Sequence, residues 1–118
     1  MQYMLLIYGD ENGGSDRSEA EQQATMQEWF DYTNELRGAG VMKAGDALQG
    51  TATATSVRDK GGEPLVTDGP FAETKEQLGG YYLLDVADLD EAIRWAHKCP
   101  GARSGTIELR PVMEFDQA

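Results

Sequence analysis

Residues 77–86 read QLGGYYLLDV, and the fold turns on how this stretch is read. Successive side chains of a strand point to opposite faces, so Tyr82 and Leu84 share one face while Tyr81 and Leu83 share the other. A half-solvated strand alternates apolar with polar. Here large apolar side chains occupy both faces, which marks an interior strand covered on both sides. Gly79 and Gly80 add a place where another backbone or a ligand can approach closely. Residues 2–8, QYMLLIY, have the same character, apolar at odd and even positions except Gln2.

Between and beyond these strands the pattern is helical or turn-like. Ser18 with Glu21 three residues on is a capping-box signature, and Met26, Trp29, Phe30, Thr33 and Leu36 follow at helical spacing until Gly38–Gly40. A short strand is expected over 41–49. Residues 53–58 and 63–67 are expected to form a hairpin closed at Gly61-Gly62. Asp88 with Glu91 opens a second helix with Leu89, Ala92, Ile93 and Ala96 on one face, and Pro100-Gly101 stops it. A last strand is expected over 105–115, with Ile107, Leu109, Met113 and Phe115 on one face and Glu108, Arg110 and Glu114 on the other.

The order strand, helix, strand, hairpin, strand, helix, strand is an α+β, ferredoxin-like βαββαβ plan with an inserted β-hairpin, in one domain over residues 1–118. The first and third core strands of that plan are the central pair, and these are the two segments apolar on both faces. Two helices cover only one face of such a sheet. A second copy of the chain, packed sheet to sheet, is the economical cover for the other, so a homodimer is expected.

The composition excludes several functions. A formal charge of −11 gives no basic stripe for phosphates, so no nucleic acid is expected as a partner. No apolar run approaches the about 20 residues that span a bilayer, and MQYMLLIYGD lacks a basic n-region and a cleavage site, so the expected setting is cytoplasmic, away from membranes. Cys99 is the one cysteine and His97 the one histidine, which leaves no disulfide, CxxC pair, thiolate zinc site or His-rich metal site. No metal and no cofactor are expected. Cys99 reads as a small buried hydrophobe, and His97 as a cation favoured near a helix C-terminus.

The stretch VTDGPFAETKE, residues 66–76, admits two readings. As structure, Asp68 accepts backbone N–H bonds in an Asx-type turn, Gly69 supplies a permissive φ, Pro70 sets the exit and Phe71 anchors the loop. As function, a carboxylate at a strand end beside Lys75 serves as general base or orients a ligand. Glu108 and Arg110, two apart on one strand, either pair with each other or across subunits, or let Arg110 hold the carboxylate or enolate of a small ligand. Of Tyr81 and Tyr82 only one can line a cleft on a given face. The candidate site is therefore Asp68 as the catalytic group, with Lys75, Tyr82, Glu108 and Arg110 as ligand contacts.

Taken in order, MLLIYGDE, ATSVR, VTDGPFAETKEQLGGYYLLD, DEAIRWA, CPGA and GTIELRPV resemble the DGPF family within the YCII-related proteins, over nearly the whole chain. The resemblance implies a dimeric α+β barrel fold and a bacterial protein of the kind often encoded beside extracytoplasmic-function sigma factors. It also implies acid–base chemistry by a histidine from the first-helix region acting with the aspartate of the DGP motif. Asp68 matches that aspartate, but no histidine precedes His97, so the dyad does not carry over. Two functions remain open: a homodimer binding a small organic metabolite, with a regulatory role, or a small cofactor-independent enzyme acting on an organic acid with Asp68 as base.

Overall fold

The two helices begin where their caps dictate. In the computed structural model, which describes residues 1–13 and 16–115, Ser18 Oγ accepts from the Glu21 amide at 3.1 Å and donates to the Glu21 carboxylate, starting α1 (Glu19–Gly38). Asp88 does the same for α2 (Leu89–Lys98), its carboxylate accepting from the Glu91 amide at 2.9 Å while Glu91 reaches back to the Ala87 amide. Each cap satisfies donors that the first helical turn leaves unpaired.

Six strands accompany them among the described residues: β1 (Gln2–Gly9), β2 (Met42–Ala47), β3 (Thr55–Lys60), β4 (Glu63–Asp68), β5 (Gln77–Asp85) and β6 (Thr106–Pro111). Four form an antiparallel sheet in the order β2-β5-β1-β6. The two segments apolar on both faces are thus its central pair, in the ferredoxin-like arrangement. β3 and β4 form a separate hairpin, turned by Gly61 and Gly62 at φ 59° and 91°. Those left-handed angles suit the tight turn that matches strand twist. No helix among the described residues is long and apolar enough to cross a membrane.

The register sorts the side chains. Leu5 lies between Tyr82 and Leu109, and Tyr3 lies opposite Leu84; these face the helices and are buried, apart from Leu109, which is half-buried. Leu6 between Tyr81 and Glu108, and Met4 between Leu83 and Arg110, form the open face. α1 contributes Tyr32 and Leu36 to the core, and α2 contributes Ala92 and Ala96, with Cys99 just beyond it. Leu5, Leu36, Leu84 and Cys99 have essentially no exposure.

Two expectations are corrected. β6 ends at Pro111 rather than near 115, because β1 runs out beneath it: Val112 N–H to the Gln2 carbonyl, at 2.9 Å, is the last cross-strand bond. Met113 and Phe115 therefore lie outside the sheet, 75% and 70% exposed. On α2, Leu89 and Ile93 flank the buried Ala92–Ala96 line and remain about half exposed.

Burial sets how this core responds to base. The Cys99 thiol is pushed up to about 11 from its ordinary 9.0, and the Tyr32 phenol is raised in the same sense, chiefly by burial in both cases. Between those two pH values an unfolded chain releases the thiol proton that the native protein keeps, so stability falls as pH rises through that window. Urea titrations of wild type and Cys99→Ala at pH 8 and pH 11 should show the wild type losing roughly 1–3 kcal/mol more than the variant.

Candidate functional site

Helix α1 carries two neighbouring stripes. Trp29, Tyr32 and Leu36 press into the core, whereas Met26, Phe30, Thr33 and Arg37, spaced four, three and four residues apart, form the next line round the helix. That second line looks across an open cleft of about 670 Å³ at the β2 side of the sheet. Met26 and Phe30 are 60% and 58% exposed because no element covers them. The opposite wall is built from Met42 and residues 45–47 of β2, residues 79–82 of β5, and Ile7 of β1. Gly80 allows β5 and the edge strand β2 to meet closely there, since a Cβ at this position would lie 2.9 Å from the Asp46 carbonyl oxygen.

The cleft is apolar with a few placed polar groups, the usual furnishing of a small-molecule site. Thr33 Oγ1 and Tyr82 Oη share a hydrogen bond of 2.6 Å between α1 and β5. Burial raises the Tyr82 phenol, the Thr33 bond and the Arg37 charge oppose that rise, and the ring remains a hydrogen-bonding phenol at neutral pH. Tyr81 donates to Asp46 Oδ2 at 2.7 Å, and this bond is the main reason its proton is held more tightly. The Tyr81–Asp46 pair lies in register on the open face of the sheet, at the cleft's β2 edge.

Of the residues singled out from the sequence, Tyr82 lines this cleft from the helix side of the sheet, while Tyr81, at its border, directs its side chain to Asp46 on the opposite face. Asp68, Lys75, Glu108 and Arg110 do not line it. Asp68 ends β4 on the hairpin, exposed, and among the described residues its carboxylate accepts no hydrogen bond. The turn is held instead by Gly69, whose N–H donates to the Ala54 carbonyl at 2.7 Å and whose carbonyl accepts from Ser56 Oγ at 2.8 Å. The Asx-turn reading of Asp68 is corrected accordingly. Gly69 at φ 96° does supply the permissive angle. Phe71 is 80% exposed rather than an anchor within the chain. Lys75 is exposed, and its neighbour Glu76 accepts from Thr106 Oγ1 at 2.8 Å, tying the loop to β6. Glu108 and Arg110 pair with each other at 2.9 Å on the open face, the mutual ion pair that their spacing allowed.

Arg37, Met26 and Phe30 were not singled out as site residues. The signal was present: the apolar line of α1 is wider than one core contact requires, and a cation falls in register with its outer half.

A family model described as the YCII-related domain matches residues 1–116. The chain belongs to the YCII-related family. An uncharacterised protein of Rhizobium meliloti (strain 1021) is 40% identical over 114 residues, a stretch covering 95% of this chain and 92% of that one. Among solved structures the fold is similar to that of the 5-chloro-2-hydroxyhydroquinone dehydrochlorinase of Burkholderia phenoliruptrix AC1100, in complex with 2,5-dihydroxybenzoquinone. The TM-score is 0.57 over 98% of this chain and 96% of that one, at 11% identity, a likeness of fold. The architecture of this YCII-related chain is accordingly that of the dimeric α+β barrels.

Two substitution pairs test the local chemistry. Thr33→Val and Tyr82→Phe should each cost roughly 1 kcal/mol, and the double variant less than their sum, because each single change removes the same bond. Asp68→Ala should change stability by under about 0.5 kcal/mol, whereas Gly69→Ala should cost about 1 kcal/mol or more, since a Cβ strains the left-handed turn. Urea denaturation of the variants checks both.

Proposed function

We propose that the protein is a homodimer that binds a small organic molecule in the cleft between α1 and the sheet, and that its role is regulatory. The cleft carries this reading: about 670 Å³, within the range of ligand sites, with apolar walls from Met26, Trp29, Phe30 and Met42 and polar groups at Thr33, Arg37 and Tyr82. The titratable groups around it suit holding a ligand more than cycling protons. Both tyrosines keep their protons, and Asp46 is engaged by Tyr81. The alternative, acid–base catalysis with Asp68 as base, would have to act on the hairpin, away from the cleft walls.

Surface area supports the second copy. The chain exposes 8599 Å², about 2,300 Å² above the roughly 6,300 Å² expected for a folded monomer of this mass. Its radius of gyration of 16.6 Å exceeds the about 13.5 Å of a compact chain of this length. The hairpin accounts for much of this. Among the described residues its principal packing is between its own two strands, and Val57, Val66 and Leu65 are exposed on it. Over two chains that excess is about 4,600 Å², within the total that obligate dimers bury.

Sedimentation velocity at micromolar concentration should give twice 12.9 kDa. In a thermal-shift screen of small organic molecules, at least one class should raise the melting temperature in a saturable way. Ala47→Trp places a ring in the cleft from the exposed end of β2 and should abolish that shift without lowering the unliganded melting temperature. A monomer, or a library without saturable binders, would contradict the reading.

A further inference from the structure

Arg37 is the one cationic side chain among the cleft's described lining residues, in a chain of net charge −11. It belongs to the last turn of α1, where a cation also suits the helix C-terminus. That position alone would leave the side chain's direction and partner open. Three further observations settle what it serves. The ion pairs among the described residues join Met1 to Asp85, Lys98 to Glu35, Arg103 to Glu28 and Arg110 to Glu108, so Arg37 has no carboxylate of its own. The one acid bordering the cleft, Asp46, accepts from Tyr81 on the opposite face of the sheet, so it does not neutralise the guanidinium. Arg37 stands one helical turn beyond Thr33 on the same face of α1 and lines the cleft with Thr33 and Tyr82, so it belongs to the end of the cleft that the hydroxyl pair occupies; its charge there opposes the larger upward effect of burial on the Tyr82 hydroxyl.

The hydroxyl pair there has capacity to spare. Thr33 and Tyr82 hold two O–H donors and share one bond of 2.6 Å, so whichever oxygen accepts keeps its own proton for another acceptor. A fork of guanidinium donors beside one hydroxyl donor fits a carboxylate, and the rings of Trp29 and Phe30 with the thioether of Met26 give a planar apolar body its bed. We infer that the cleft takes a monoanionic aromatic acid, its carboxylate held by Arg37 and the Thr33–Tyr82 hydroxyl pair and its ring laid against Trp29 and Phe30. This rests on the cleft being the binding site, and it adds the chemical class of the ligand and the residue that selects it.

Benzoate, benzamide and benzylamine share a ring and differ in head-group charge. Calorimetric titration of each into the full chain, as wild type, Arg37→Gln and Ala47→Trp, separates the two ideas. Benzoate should bind wild type at least tenfold more tightly than benzamide, and benzylamine should bind most weakly. Arg37→Gln should erase the preference for the acid, with benzoate losing far more affinity than benzamide, and Ala47→Trp should weaken both. Equal affinity for benzoate and benzamide in wild type, or a preference that survives Arg37→Gln, overturns the assignment to Arg37 and leaves the cleft a ring-binding site. No saturable binding of any of the three, or binding indifferent to Ala47→Trp, overturns the cleft as the site and this inference with it.

Discussion

Tyr32 is the residue through which the two helices and the sheet are held to one another. Its ring meets Trp29, Tyr82 and Trp95 edge to face, at centroid separations of 6.4, 5.6 and 6.4 Å, so one side chain of α1 touches its own helix, the central strand β5 and α2. Its hydroxyl donates at 2.8 Å to the carbonyl of Trp95. That carbonyl belongs to the last turn of α2, where backbone acceptors have no partner within the helix. One phenol thus meets two needs at once: it avoids burying an unpaired hydroxyl, and it closes an open helix end. Lys98 adds a cation over the Trp95 ring at 5.2 Å and an ion pair with Glu35, lashing the same two helices at the surface.

The cleft follows from that attachment. With Tyr32 and Leu36 fixed toward β1 and β5, the next stripe of α1 must look toward β2, and α2, only ten residues long, packs toward the other edge of the sheet beside β6. Among the described residues no third α-helix covers the β2 side. β2 itself is narrow in side-chain terms, with Gly45 and Ala47 opposite Tyr82 and Gly80, so it does not fill the space beneath α1. The apolar groups Met26 and Phe30 are left facing a gap because the helix is apolar over a wider sector than two strands and one short helix can receive.

This is also why the fold was legible in the sequence and the site was less so. Local rules act through neighbours in the chain: Ser18 with Glu21, Asp88 with Glu91, and Gly61-Gly62 each specify a terminus or turn by chemistry contained within four residues, and each is realised. The two-sided apolar character of residues 2–8 and 77–86 likewise carries through to their central positions. Helical periodicity, by contrast, marks an apolar sector without saying which part of it meets another element. Met26 and Phe30 therefore stand in one helical series with Trp29 and Leu36, although only the latter two meet the core, and nothing in that series marks Arg37. The DGPF stretch misled in the opposite direction. Its charges are crowded in sequence, but the turn is held by the backbone of Gly69 and the hydroxyl of Ser56, and Asp68 points its carboxylate at no partner within the described chain.

The open face of the sheet shows how a strongly acidic chain can still offer a surface to its own copy. Two copies of net charge −11 repel at long range, and a buried interface cannot carry charges left unpaired. Here the charged groups at the margins are matched inside one chain: Arg110 with Glu108 on β6, and Asp46 with the Tyr81 hydroxyl on β2 and β5. Between them run Met4, Leu6 and Leu83, all half-buried and apolar. In the proposed dimer a two-fold partner would bring the same strip and the same self-contained pairs, so docking the faces would desolvate apolar side chains in the middle and need no salt bridge between subunits to balance the rim. The pairing of Glu108 with Arg110 then has a consequence for the site. It engages Arg110 on the open face, whereas the ligand proposed for the cleft would meet Arg37 on the helix side of the same sheet.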